Sequence, residues 1–217
     1  MLRETWNVTA ESQRKQPPAM GARGSGGRDR RPLPLRNTSE TYGWIGILLH
    51  WLTALLVFGL FGLGLYMTSL DYYHPWYRAA PFWHKGLGVV TLILVGFRLV
   101  WRLMNPTPIS LSKHRWEERL ARGVHTLLYL LLLAIPVSGY LVSTADGRPL
   151  SVLEWFEIPS LSGPVQNLED AAGALHYALA WTLIALVALH AAGALKHHFL
   201  DRDETLLRLL GRPRQEP

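Results

Sequence analysis

Nine histidines and no cysteine set the chemistry open to this chain of 217 residues. Without thiols there can be no disulfide, iron–sulfur cluster, covalently attached c-type haem or thiolate metal site, so a redox cofactor has to be held by other ligands. His50, His84, His125, His176 and His190 fall inside or at the edge of apolar stretches. An ionisable side chain there is costly and marks a functional position by default. His74 and His114 lie in connecting segments, where solvation explains them. His197 and His198 close the last apolar stretch, where an interfacial role is the simplest reading.

His176 and His190 stand 14 residues apart. On a helix that spacing returns to the same face to within about 40° and separates the two imidazoles by about 21 Å along the axis. Two histidines serving one metal ion would stand three or four residues apart instead. The observed spacing suits one helix that gives a ligand to each of two stacked haems, near opposite faces of a membrane. The partners follow from depth. If the last stretch runs from outside to inside, His176 lies near the outer face and His190 deeper. His50, early in a stretch that starts inside, matches the level of His190; His84, opening a stretch that starts outside, matches His176. The expectation is two bis-histidine haem b sites, His84 with His176 and His50 with His190. His125, early in the third stretch, competes with His50, or donates to a propionate, a carbonyl or a bound quinone. Gly59, Gly62, Gly64, Gly86, Gly88, Ala191, Ala192 and Gly193 leave room for a macrocycle, although close helix packing in membranes favours small residues as well. Arg98 and Arg102 are placed to pair with haem propionates, or simply to set topology.

The elements that must position these residues are four apolar blocks at about 44–67, 82–103, 120–143 and 171–199. Each holds enough residues to cross about 30 Å of hydrocarbon, and too little polar sequence remains to cover all four in water. The fold class expected is all-α, a four-helix transmembrane bundle. Basic residues alternate between rich and poor segments: Arg3 to Arg36 before the first block, Arg78 and Lys85 around the first loop, Arg98 to Arg122 around the second, Arg148 in the third, Lys196 to Arg214 in the tail. That pattern predicts cytoplasmic termini and a cytoplasmic middle loop. It also accounts for the net charge of +6 without a nucleic-acid partner.

Residues 1–40, rich in Gly, Pro, Arg and Ser, read as a disordered cytoplasmic extension without the apolar core of a secretory signal. Residues 41–210 read as the membrane domain and 211–217 as a cytoplasmic tail. Asn37, Thr38 and Ser39 offer N-cap oxygens to the first helix. Pro136 falls inside the third block, and the long segment 145–170 has room for a short interfacial helix over the outer end.

The chain resembles the bacterial cytochrome b561 family over roughly residues 40–210. The likeness rests on His50-Trp51-Leu52, on His84 with Gly86 and Gly88, and on Arg98-x-x-x-Arg102 before Asn105-Pro106-Thr107-Pro108. It continues through His125-Thr-Leu-Leu-Tyr129, Pro136-Val-Ser-Gly139, and His176 to Leu189-His190-Ala191-Ala192, His197-His198 and Thr205-Leu206-Leu207-Arg208. The resemblance implies four helices in the bacterial inner membrane, two haem b groups with His50, His84, His176 and His190 as iron ligands, and electron exchange with the quinone pool, ubiquinone being the expected partner. One type within the family oxidises superoxide at the outer face, which makes an oxidoreductase activity a specific expectation. Against it, the outer loops carry Asp71, Asp146, Glu154, Glu157, Glu169 and Asp170 beside Arg78, Lys85 and Arg148. Bis-histidine ligation leaves iron no open position, so outer-sphere electron transfer is the expected chemistry. A rival reading is a haem-bearing membrane anchor for a separate dehydrogenase or hydrogenase, with a redox partner protein. A haem-free transporter or scaffold is a third.

Overall fold

The computed structural model describes residues 33–112 and 114–212. The expected extension up to residue 32, the loop cation Lys113 and residues 213–217 of the tail lie outside them. Four long helices dominate: α1 (Trp44–Thr68), α2 (Ala79–Met104), α3 (Arg115–Thr144) and α4 (Leu168–Phe199). Two short strands, β1 (Leu150–Val152) and β2 (Phe156–Ile158), lie between α3 and α4, and a five-residue helix α5 (Thr205–Leu209) follows α4. The long helices have 25, 26, 30 and 32 residues. All four are long and apolar enough to cross a membrane.

Three helices start before their apolar runs, α2 by one turn at Ala79 and α3 and α4 with charged first turns. α3 begins at Arg115, with Glu117 and Glu118 in its first turn, and α4 begins at Leu168, with Glu169 and Asp170 there. Carboxylates at a helix N-terminus face the positive end of its dipole, so these polar turns extend the helices past the edge that hydropathy marks. The expected cap of α1 is not formed. Gly43 holds the N-cap position without a side-chain bond. Asn37 Oδ1 instead accepts from the Gly43 amide at 2.9 Å, and Thr38 Oγ1 accepts from the Thr41 amide at 3.0 Å. These side chains fold the approach to α1 into turns rather than ending the helix itself.

α3 packs along α4, α1 along α2, and α2 against α3, while α1 and α4 make few close backbone approaches. The fully buried centre is small: Val95 of α2, Leu132 of α3 and Leu183 of α4, flanked by Val57, Ile135 and Val187. Leu55, Ile93, Leu130 and Leu189, all mid-helix, are more than half exposed. In water that surface would be an aggregation hazard; in hydrocarbon it is the face the solvent wants. Buried hydroxyls are spent on their own helices, Thr53 Oγ1 donating to the Leu49 carbonyl at 2.6 Å and Thr91 Oγ1 to Leu87 at 2.8 Å.

At the end of the bundle where α2 and α4 start, the segment expected to be an interfacial helix is a hairpin. β1 and β2 pair antiparallel, Val152 opposite Phe156, around a turn in which Leu153 and Glu154 take positive φ of 50° and 62°. A turn of that hand matches the strand twist, and Val, Trp, Phe and Ile within eight residues favour strand over helix. The hairpin tip rests on α2, because a Cβ at Gly86 would come within 2.4 Å of Leu153 Cδ2. At the opposite end α5 closes the bundle. Trp51 Nε1 of α1 donates to the Leu209 carbonyl at 3.3 Å, and the Thr205 amide to Asp203 Oδ1 at 2.9 Å. Burial pushes the Asp203 carboxyl up. Hydrogen bonds from Thr205 and His197 outweigh that and hold it below the usual aspartate range.

Candidate functional site

The five intrahelical histidines gather in two places. At the hairpin end, His84 and His176 face each other with ring centroids 6.2 Å apart. At the tail end, His50 and His190 stand 6.3 Å apart, with His125 nearer still to His190, at 5.1 Å. Two imidazoles that share one six-coordinate metal ion, through bonds of about 2 Å each, have ring centres about 6 Å apart. Both depth-matched pairs meet that distance. His125 and His190 stand too close for an ion between them.

The free nitrogens are set by neighbours. His176 Nδ1 lies 3.0 Å from the Ile135 carbonyl and 3.0 Å from Ser138 Oγ, whose own hydroxyl is spent on that same carbonyl at 2.8 Å. His176 Nδ1 is therefore the proton-bearing nitrogen and Nε2 keeps a lone pair, the tautomer a metal needs. His50 differs: Arg98 Nη2 is 2.8 Å from its Nδ1. A guanidinium can only donate, so Nδ1 accepts. In this arrangement the ring proton stands on Nε2, so His50 would serve a metal through Nε2 only with its Nδ1 turned from acceptor to donor. His84 Nδ1 is enclosed without a hydrogen-bond partner of good geometry.

Arg98 and Arg102, one helical turn apart on α2, both lie over the Tyr129 ring, at 5.6 and 5.5 Å from its centroid. Tyr129, Ser138 and the Ile135 carbonyl are site residues that side-chain types alone did not reveal. Only the run from Tyr129 to Gly139, which includes Pro136, hinted at them. Elsewhere, Glu117, His197 and Asp201 offer ligand atoms within 4.8 Å of one another. Lys196 Nζ fills the cation's place there, 2.6 Å from Glu117 Oε1 and 2.9 Å from Asp201 Oδ2. That group is an ion-pair clasp between α3 and the end of α4.

The sequence matches the family described as prokaryotic cytochrome b561 over residues 41–212. It is 48% identical to cytochrome b561 homolog 2 of Escherichia coli over 83% of this chain and 96% of that protein. The chain belongs to the prokaryotic cytochrome b561 family. This cytochrome is also 30% identical, over 81% of its length and 98% of the relative's, to a probable superoxide oxidase, CybB, of Yersinia pestis. It shares 28% identity with cytochrome b561 homolog 1 of E. coli over 59% of the chain and 73% of that protein.

Family membership makes this a membrane electron-transfer protein that binds haem b. The residues present fit such a group. A Cβ at Gly64 would lie 3.2 Å from His84 Cε1, and one at Gly139 would lie 3.1 Å from His176 Cε1 and 3.3 Å from its Nδ1. Both rings at the hairpin end thus lie against bare backbone, in positions that a side chain on either helix would crowd. Gly59, Gly62, Gly88 and Gly193, expected to leave room, have nothing within 4 Å of where a Cβ would stand. Gly86 does not leave room in that sense: Leu153 occupies its face.

Proposed function

We propose that this cytochrome carries two haem b groups, one between His84 and His176 and one between His50 and His190. In this reading it passes electrons across the bacterial inner membrane to or from the quinone pool, ubiquinone being the partner expected, and takes them from superoxide at the outer face. The observation that carries the reading is the pair of imidazole couples at opposite ends of the bundle, 6.2 and 6.3 Å apart. Each haem, when bound, would supply a one-electron iron couple, held by the two imidazoles of its pair.

The chain's own residues do the rest. His176 is held in its ligating tautomer by the Ile135 carbonyl and Ser138. Arg98 orients the His50 ring and, with Arg102, presents positive charge at the level where propionates would lie. Arg98, Arg102, Arg115, Arg119, Arg122 and Arg208 cluster at the tail end, against Arg78, Lys85 and Arg148 at the other, which favours a cytoplasmic tail end and cytoplasmic termini. Residues 41–210 form the di-haem domain in this scheme, with 1–40 and 211–217 outside it.

Support for superoxide comes from the Yersinia relative and from the hairpin end. Arg148 is committed to Asp146, its Nε 2.6 Å from Oδ2, and its amide and guanidinium hold the Asp146 carboxyl below the usual range. Arg78 and Lys85, which form no ion pair among the described residues, line a cavity of about 410 Å³ with Tyr77, Phe82 and Ser143. Lys85 is the residue after His84, so an anion drawn there arrives beside the outer site despite the acidic loops. The test uses purified protein in liposomes containing ubiquinone under a superoxide flux. Wild type is expected to reduce the quinone. His84→Ala and His50→Ala are each expected to lose one b haem and that activity. Variants that keep both haems would sink the ligand assignment; an inert wild type with two haems would remove superoxide as the substrate.

A further inference from the structure

At the tail end Arg98, Arg102 and Arg208 all lie within electrostatic reach of the Tyr42 phenol, and none of them is in an ion pair among the described residues. Arg98 and Arg102 lie over Tyr129. Arg208 of α5 donates from Nη1 to the Ile109 carbonyl at 3.2 Å. The Tyr42 phenol, at the entrance to α1, senses all three: burial pushes it up while the Arg102, Arg208 and Arg98 charges oppose that rise. Glu117 and Asp201 pair with Lys196 and Asp203 with His197, while Glu204, at the start of α5, forms no ion pair among the described residues. Two further donors are enclosed with no acceptor, Arg208 Nε and Trp101 Nε1. Arg98 and Arg208 are partly buried and Arg102 is exposed; partly buried cations and orphaned donors are costly unless an anion completes them.

α5 is not loosely placed. The Trp51–Leu209 hydrogen bond ties it to the residue after His50. Gly211, at φ +69°, brings the chain against Leu33, where a Cβ would stand 2.8 Å from Leu33 Cδ1. Arg98 bridges this cluster to the His50 ring itself.

We propose that Arg208 is the third cation of a carboxylate-binding pocket formed with Arg98 and Arg102. The carboxylates it takes are the propionates of the haem held by His50 and His190, so the inference rests on that ligand pair. The C-terminal segment is then one wall of the haem site. Arg208 is a positioning and charge-balancing residue; it does not ligate iron.

A cation beside the haem favours the reduced, less positive iron. Redox titration of the purified full-length protein is therefore expected to show that Arg208→Gln lowers the midpoint of one haem only, the one that persists in His84→Ala. The pH dependence of that midpoint should move to higher pH, because a propionate that has lost its cation holds its proton longer. Transfer of that haem to apomyoglobin should be about 10-fold faster. Arg208→Lys keeps the charge and should keep the midpoint. Unchanged midpoints and haem loss in a two-haem Arg208→Gln protein would overturn the proposal and leave the ligand scheme standing. An Arg208→Lys shift as large as that of Arg208→Gln would show a structural tie to Ile109 instead, and would also overturn it. Wild type without a haem at His50 and His190 would fail the underlying reading and this one together.

Discussion

His176 and His50 show how neighbours decide what an imidazole can do. Ile135 offers His176 Nδ1 a carbonyl, which leaves Nε2 free for a metal; Arg98 offers His50 Nδ1 a donor, which places charge beside the ring. His125 is the residue that spacing in the sequence left open, since its depth equals that of His50. The 5.1 Å between His125 and His190 is too short for a shared iron, whereas the 6.3 Å between His50 and His190 is not. His125→Phe is therefore expected to retain both b haems in the reduced-minus-oxidised spectrum, with at most a shifted midpoint at the tail end. Loss of one haem in that variant would make His125 the ligand in place of His50. The pairing of His84 with His176 and of His50 with His190 was legible in the sequence because helix rise and alternating direction fix depth. The Ser138 and Ile135 contacts were not, because they depend on the rotation of α3 about its axis, which a nearly uniform run of leucines does not encode.

Among the elements, α3 and α4 pack along each other where Gly139 meets His176. A methyl group there would have to displace a ring that its own hydrogen bonds hold. Gly139→Leu is expected to lower occupancy of the hairpin-end haem, by several-fold in the ratio of the two resolved haem signals, and to leave the tail-end haem intact. Equal loss of both haems would point to a folding defect, and no loss would show that the cradle is not needed. The four helices themselves were legible from apolar run length. The start of α1 at Trp44 was legible as well, whereas those of α3 and α4 were not, because the carboxylates in their first turns look like loop to a hydropathy reading. The β1–β2 hairpin was not legible, because strands of three residues each leave too short an alternation to stand out within a long polar-aromatic connection. That hairpin covers the start of α2, two residues after His84, through Leu153 on Gly86.

At the scale of the whole molecule, two sites of different polarity sit at opposite ends of one apolar bundle. The hairpin end is closed by a strand pair and carries Arg78 and Lys85; the tail end is closed by α5 and carries a cluster of arginines about Tyr129 and Tyr42. The separation of α1 from α4, against the close contact of α3 with α4, leaves the histidines of the first and last helices to meet across a gap. The scheme depends most directly on how many haems the chain holds. Pyridine-haemochrome quantification against protein concentration, on protein produced with ample haem, should give two b haems per chain and reduced bands of low-spin six-coordinate iron. One haem per chain, or none, would contradict it.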